Sequence, residues 1–346
     1  MKSRGLAVDS ATSPLRSFEF DRRELGAHDV ALDVKFTGIC HSDIHTARGE
    51  WGSVYYPLVP GHEIAGVVTS VGADVTKFKN GDLIGVGVFV DSCRNCENCN
   101  QGLQQYCLEG MTGTYNSLER KSGEQTRGGY SNNFVINEDY AVHIPKNLPL
   151  EGVAPLLCAG ITLYSPIKHF NVGPKTKVAV MGLGGLGHMG VKFAVAMGAE
   201  VTVLSHSAEK KSDALKMGAH HFVCTKDEGA LSSLKKSFDI ILNTVSAELD
   251  INEYLQTLKL DGTLVIIGLP GKPYAVHAGV MLEGRRSMTG SMIGGVSELQ
   301  EMLNFCGDKN IVSDVEVIKA DYANTAYNRT VASDVKYRFV IDASSF

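Results

Sequence analysis

Four of the eight cysteines, Cys93, Cys96, Cys99 and Cys107, crowd into a C-x2-C-x2-C-x7-C run. Four thiolates in so short a loop can close a tetrahedral shell around one Zn²⁺ and leave no open coordination position. A site of that kind is structural: it staples a loop too short and too polar to fold by burial. A second set is dispersed, with Cys40 in GICHSDIH, His62 and Glu63 in VPGHE, and Cys158 in LLCAGIT. Taken singly, a cysteine is usually a small buried hydrophobe and a histidine a hydrogen-bonded core residue. Two thiolates and an imidazole together form a set that leaves a zinc ion one position for water or a substrate oxygen. Spacing along the chain does not by itself bring the three together.

The third constellation is VAVMGLGGLGHMGVKFA, where Gly182, Gly184 and Gly187 keep G-x-G-x-x-G spacing around Gly185 and Leu186. It directly follows an apolar strand pattern and opens an amphipathic helix pattern. The first glycine permits a tight turn, the second lets backbone approach a pyrophosphate, and the third lets helix and strand pack closely. The helix N-terminus adds free N–H groups and partial positive charge. A site for NAD usually places Asp or Glu about twenty residues further on, to hold the ribose hydroxyls. Here that region reads Leu204-Ser205-His206-Ser207-Ala208-Glu209-Lys210-Lys211. Hydroxyls, an imidazole and an ammonium attract a 2′-phosphate, so the expected cofactor is NADP(H), held by Ser205, Ser207 and Lys210 with His206 helping. Two alternatives stay open: a plain helix start capped by Ser207 with its lysines in water, or Glu209 facing the ribose.

The elements that must position these residues change character along the chain. VALDVKFTGIC, AGVVTSVGADV and GDLIGVGVFV read as strands broken by turn residues, which predicts a mostly antiparallel, barrel-like first body. From Cys158 the pattern changes. CAGITLYSPIKHF reads as a helix, KVAVMGLG as strand and turn, GLGHMGVKFAVAMGA as a helix, VTVLSHS as a strand and AEKKSDALKMGA as a helix. FDIILNTV and GTLVIIGLP read as further strands. Strands alternating with helices indicate parallel βαβ units.

At 346 residues the chain exceeds what one core usually serves, so two domains are expected. With 44% hydrophobic and 21% charged residues it falls outside disordered and fibrous classes. The formal charge of -5 and the absence of a long Lys/Arg run speak against nucleic-acid binding. MKSRGLAVDS lacks the apolar stretch of a secretory signal, and no eighteen or so apolar residues run together. The expectation is a soluble, cytoplasmic protein without membrane contact, in which crowded cysteines serve metal rather than disulfides.

The GHE turn, the C-H-S-D-x-H run, the four-cysteine lobe, the GLGGLGHMG turn and the closing KYRFVID resemble, in that order, the zinc-containing medium-chain alcohol dehydrogenases. The likeness is strongest to the cinnamyl alcohol dehydrogenase branch and its bacterial broad-range aldehyde reductase relatives, and it runs from about residue 25 to the C-terminus. It implies an α/β protein with a GroES-like β-barrel catalytic domain over 1–157 and 297–346, carrying the structural zinc lobe. A Rossmann doubly wound parallel-sheet domain binding NADP(H) would span 158–296. The segments MIGGVSELQEMLNFCGDKNIV and KYRFVID are, by the same resemblance, the return to the first body.

For individual residues the resemblance implies a catalytic zinc on Cys40, His62 and Cys158, with Glu63 as a carboxylate that transiently takes the fourth position, so two Zn²⁺ per chain. The metal would polarise an aldehyde carbonyl or lower the pKa of a bound alcohol. Asp43 would accept the His62 ring N–H, or else cap a helix start. Ser42 matches a relay hydroxyl and His45 the outer imidazole that hands the proton to water, although both could be ordinary helix-start residues. His41 falls at the cofactor pyrophosphate, and Trp51, the single tryptophan, matches a pocket wall that favours flat or apolar aldehydes. Thr162, Thr244, Val245, Gly268, Ser291 and Ile293 should face the nicotinamide end, with Arg338 a candidate for a cofactor phosphate. RRSMTGSMIGG matches the edge through which such proteins form homodimers. Two other functions stay in view: an NAD-dependent polyol dehydrogenase on the same scaffold, and a non-catalytic zinc- or dinucleotide-binding redox sensor. The missing acidic residue after VTVL weighs against the first, and Ser42 with His45 weighs against the second.

Overall fold

The longest strand, Asp29–Gly38, alternates apolar and β-branched residues and is buried over most of its length, as a strand partnered on both edges must be. A computed structural model describes all residues, 1–346, and divides them into two compact units: Met1–Ile161 with Ile293–Phe346, and Thr162–Met292. In the first unit Asp29–Gly38 pairs antiparallel with Ile64–Val71, Asn133–Asn137 and Arg338–Asp342. The sheet continues antiparallel through Leu83–Val86 to Ala141–His143, and Val315–Ile318 adds a parallel strand outside Arg338–Asp342. The closing segment is therefore woven into the middle of the first body. GDLIGVGVFV does not form one strand. The chain leaves the sheet after Val86, and Phe89–Asp91 pairs instead with Thr112–Gly113 beside the four-cysteine lobe.

The second unit holds six strands, all neighbours parallel, in the order His221–Cys224, Glu200–Ser205, Lys177–Met181, Phe238–Asn243, Leu258–Ile266, Ser287–Gly290. Val178, Ala179 and Val180 are completely buried, as continuous apolar strands covered on both faces should be. The order reverses direction at Lys177–Met181, and ligands of such sheets bind outside the carboxyl ends at that point. Helix Gly187–Ala196 follows the glycine turn, whereas AEKKSDALKMGA opens with a 3₁₀ turn, Ala208–Lys210, before the shorter helix Lys211–Lys216.

The boundary between the units falls inside helix Ala159–His169 and, on the return, after Met292. The change of pattern at Cys158 thus marks the start of a helix and not of a domain. Cys158 and Ile293 both belong to the first unit. No single helix is long and apolar enough to cross a membrane.

Candidate active site and metal centres

Three separate stretches of the first unit bring Cys40, His62, Glu63 and Cys158 together. Cys40 lies two residues past the end of the central strand and caps helix His41–Ala47, His62 and Glu63 follow the turn at Gly61, and Cys158 precedes helix Ala159–His169. Their ligand atoms all lie within 4.8 Å of one another, and His62, Glu63 and Cys158 are buried. The Asp43 carboxylate faces the Nδ1 of His62 at 3.0 Å, so Nδ1 carries the proton and donates, and the lone pair stays on Nε2. That Nε2 is buried and meets no protein partner, and the same holds for Oε2 of Glu63. Buried polar atoms left so are rare, and here the two converge with two sulfurs. The hydrogen bond from Cys158 holds the Cys40 thiol well below its ordinary pKa and pushes Cys158 up correspondingly. An imidazole lone pair, a thiolate, a second thiol and a carboxylate suit Zn²⁺.

Glu63 is 0% exposed and Arg338 5%, and the two form an ion pair through Nη2 of the arginine. Nε and Nη2 of Arg338 also reach the Ile39 carbonyl, at 3.3 and 2.8 Å. The sequence suggests a cofactor phosphate for Arg338; in the protein alone the partners of its guanidinium are Glu63 and the Ile39 carbonyl, and its positive charge offsets part of the cost of burying that carboxylate. Even so, burial pushes Glu63 up to about 7 against the opposing pull of Arg338.

Asp43 plays both roles open to it. It caps the helix by accepting from the Cys40 backbone N–H at 2.9 Å, and it holds His62. Ser42 lies on the same turn, its hydroxyl 3.6 Å from the Cys40 sulfur. His45 is partly exposed, bonds through Nδ1 to Glu50 and stacks on Trp51 with ring centroids 4.9 Å apart. Trp51 is 52% exposed, so it is no core residue. His41 is exposed at the first helical position, 6.1 Å from the His45 ring. Glu50 escaped the sequence reading because a carboxylate five residues past a helical histidine has no motif of its own.

The second cluster is also assembled. Cys93, Cys96, Cys99 and Cys107 have their sulfurs within 4.8 Å of each other, and none of the eight cysteines forms a disulfide. Backbone N–H groups point at the sulfurs: Cys93 N–H at Cys107, Cys96 N–H at Cys93 and Cys99 N–H at Cys96, at 3.3 to 3.5 Å. A hydrogen bond from the Leu108 backbone brings the Cys96 thiol down to about 6, whereas burial drives Cys99 up to about 11. Ser92 bridges Cys99 to the Tyr140 hydroxyl at 3.2 and 2.7 Å, and Arg120 reaches Cys107 at 3.9 Å. Neither residue was singled out by spacing.

In the second unit Gly182 has φ +84°, and a Cβ on Gly187 would stand 2.0 Å from the Gly182 carbonyl, so turn and helix can only close on glycine. A Cβ on Gly184 would meet nothing within 4 Å, which leaves that backbone open to an outside group. Gly185 and Leu186 complete the turn into helix Gly187–Ala196. Thr244 and Val245 lie against Gly182 at the carboxyl end of Phe238–Asn243. Gly268 and Ser291 follow the next two strands, their N–H groups tied to the Asn243 and Ile266 carbonyls. These positions share the edge where a dinucleotide binds. Thr162 is buried in helix Ala159–His169, and Ile293 lies in the first unit, where it lines a small apolar cavity with Leu157, Ile161 and Leu299. At the second strand end Ser205 is buried with its Oγ receiving the Ser207 N–H at 3.2 Å, and His206 is exposed. Lys210 extends its ammonium to the Leu183 carbonyl, 3.0 Å away in the glycine turn, and Glu209 is exposed and bonded to Ser207.

A parallel sheet with an open glycine turn, a four-thiol lobe and a buried Cys/His/Cys cluster beside a carboxylate define a zinc-dependent dehydrogenase. Residues 26–146 match the alcohol dehydrogenase GroES-like domain family and residues 185–308 the zinc-binding dehydrogenase family. The chain belongs to this zinc-binding alcohol dehydrogenase family and is an enzyme. It is 58% identical over 340 residues to NADP-dependent alcohol dehydrogenase C 1 of Mycolicibacterium smegmatis, covering 98% of this chain and 97% of the relative. It is 47% identical over 345 residues to aldehyde reductase YahK of Escherichia coli, covering 99% and 98%. Among solved structures, a cinnamyl alcohol dehydrogenase from Sorghum bicolor superposes with a TM-score of 0.96 at 44% identity, covering 99% of this chain and 98% of that one.

Proposed function

We propose that this enzyme transfers hydride between NADP(H) and small primary alcohols or aldehydes of apolar or aromatic character, working in the cell as an aldehyde reductase. The reaction is aldehyde, NADPH and a proton giving alcohol and NADP⁺. The observation that carries it is the convergence of the unpartnered His62 Nε2 and Glu63 Oε2 on Cys40 and Cys158. Zinc held there supplies a Lewis acid for the carbonyl oxygen, and NADPH supplies the hydride.

The chain's own residues do the rest. Asp43 fixes the His62 tautomer, and Arg338 keeps Glu63 charged enough to attract a cation. The proton needed at the product oxygen comes through Ser42, next to the Cys40 sulfur, and His45, whose partly exposed ring meets solvent and is oriented by Glu50. Trp51 extends the aromatic surface beside His45 and favours flat substrates by stacking and area burial. On the cofactor side, Gly182, Gly184 and Gly187 admit the pyrophosphate, while Ser205, Ser207, Lys210 and His206 take the 2′-phosphate in place of an acidic residue. The same reading makes the protein a cytoplasmic homodimer that joins second units edge to edge.

Initial rates of cinnamaldehyde reduction with NADPH and with NADH, before and after chelation, test the proposal. NADPH preferred at least tenfold, with activity lost on chelation and restored by Zn²⁺, is expected. Equal rates with both cofactors would refute the assignment of the Ser205–Lys210 segment, and activity indifferent to chelation would refute the metal assignment.

A further inference from the structure

Asp43 is fully buried, and its two oxygens receive four hydrogen bonds. Oδ1 accepts from Gly61 N–H at 3.1 Å and from the His62 ring at 3.0 Å. Oδ2 accepts from Cys40 N–H at 2.9 Å and from the Tyr130 hydroxyl at 3.1 Å. Three of these donors sit on the segments that carry the ligands. The fourth arrives from 87 residues away, on a side chain that is 0% exposed.

We propose that Tyr130 is a positioning residue for the catalytic metal, its hydroxyl holding the Asp43 carboxylate so that His62 presents Nε2 to the ion. The proposal rests on the reading of Cys40, His62 and Cys158 as ligands. The torsion that orients a carboxylate is broad and two-fold, so the angle at which Oδ1 meets the His62 N–H is set by the balance of donors on the two oxygens, and without the Tyr130 hydroxyl Oδ2 keeps only the Cys40 N–H. Any swing turns the acceptor away from the His62 N–H.

The segment around Tyr130 is built to deliver that hydroxyl. Gly128 N–H reaches Val59 O, Gly129 N–H Gly61 O and Tyr130 N–H Pro60 O, at 2.8, 2.8 and 2.9 Å, so the turn is zipped to the residues just before His62. Gly61 has φ +103°, and a Cβ there would stand 2.5 Å from the Tyr130 ring, so ring and turn are packed directly together. Arg22 clamps the far side. Its guanidinium donates to the carbonyls of Arg127 and Gly128 and to Ser131 Oγ, the last two at 2.7 Å, and lies against the Phe20 and Phe134 rings. No carboxylate pairs with Arg22, and burial lowers it to about 9. All three of its acceptors lie on the segment that carries Tyr130, so the guanidinium, just past strand Arg16–Asp21, ties that segment in place.

The test is the release of zinc from the holoenzyme to a chromophoric chelator, with kcat and KM measured alongside. Tyr130→Phe keeps the ring and removes only the O–H. One of the two zinc ions should leave about tenfold faster, in line with the usual effect of groups that orient a ligand. The other should leave at the wild-type rate; kcat should fall, and KM for NADPH should not move. Repeating the measurement in a Cys99→Ser background, which lacks the four-thiol ion, assigns the labile one. Arg22→Met should speed release from the same site, and combining it with Tyr130→Phe should add little, because both act through one carboxylate. Wild-type release and wild-type kcat in Tyr130→Phe would overturn the proposal, as would equal acceleration at both sites. A Cys99→Ser enzyme that folds but retains no zinc would overturn the ligand reading on which it rests.

Discussion

Glu63 and Arg338 would each be costly to bury alone, and they are buried together beside the candidate zinc ligands. Removing one partner of such a pair leaves an uncompensated charge, which typically costs about 3–5 kcal/mol. Because Glu63 titrates at about 7 in the fold and can take up a proton once Arg338 is gone, Arg338→Met should lower the free energy of urea unfolding by clearly less than that at pH 7 and by more as the pH is raised to 9, with Arg338→Lys losing less at each pH. A loss that stays the same from pH 6 to pH 9 would remove the Glu63 charge from the explanation. Glycines at fixed spacing after a strand announce a phosphate turn by themselves, and the four crowded cysteines a closed metal shell, whereas Cys40, His62 and Cys158 were legible as ligands only through the family resemblance of C-H-S-D-x-H, GHE and LLCAG. The partners of those residues were not legible. Tyr130 lies 87 positions from Asp43, and Arg338 lies 275 from Glu63. No periodicity links such pairs, and only the folded sheet brings them into contact.

Among the elements, the short 3₁₀ turn Glu138–Tyr140 ties the strand Asn133–Asn137 to the turn at Thr76. Glu138 is buried and accepts the backbone N–H groups of Thr76 and Lys77, both at 2.9 Å, and faces His28. Burial raises its pKa, but those N–H donors outweigh burial and leave the carboxyl below its ordinary value. A depressed folded pKa means stability that is fully present above the unfolded value of about 4.3 and lost as the pH falls through the lower folded value. Glu138→Gln should thus cost about 1–2 kcal/mol at pH 7, and the gap to wild type should close below about pH 4. Urea midpoints measured from pH 3 to pH 7 check this, and a gap independent of pH would remove the carboxylate from the explanation. Element types were readable from period and turn residues, whereas element ends were not. GDLIGVGVFV reads as one strand because its apolar content is continuous, yet the chain turns off at Gly87 to build the zinc lobe. Similarly, the helix pattern beginning at Cys158 looks like a domain start, although packing keeps that cysteine with the first unit.

At the scale of the whole molecule, alternating strands and helices gave the parallel sheet, and antiparallel patterns gave the first body. The return of Val296–Lys309 and Arg338–Asp342 to that body needed the family resemblance, because a central strand pairing with Asp29–Gly38 has no signal in its own residues. The second unit ends in the four-residue strand Ser287–Gly290, which has a partner on one side only. An unpaired edge invites pairing with another chain unless it is blunted, and no Lys or Pro occurs in SMTG to blunt it. The neighbouring apolar side chains are also uncovered: Leu282 is 80% exposed, Leu260 67% and Met292 43%. Two copies related by a two-fold axis would satisfy the edge and cover those side chains at once, because an isologous contact uses the same patch twice. Sedimentation equilibrium should accordingly give twice the chain mass for the wild type. Leu260→Glu combined with Leu282→Glu should give the single chain, since two like-charged carboxylates would meet their copies across the axis. A wild type of one chain mass, or a double variant that stays at two, would rule out this edge as the interface.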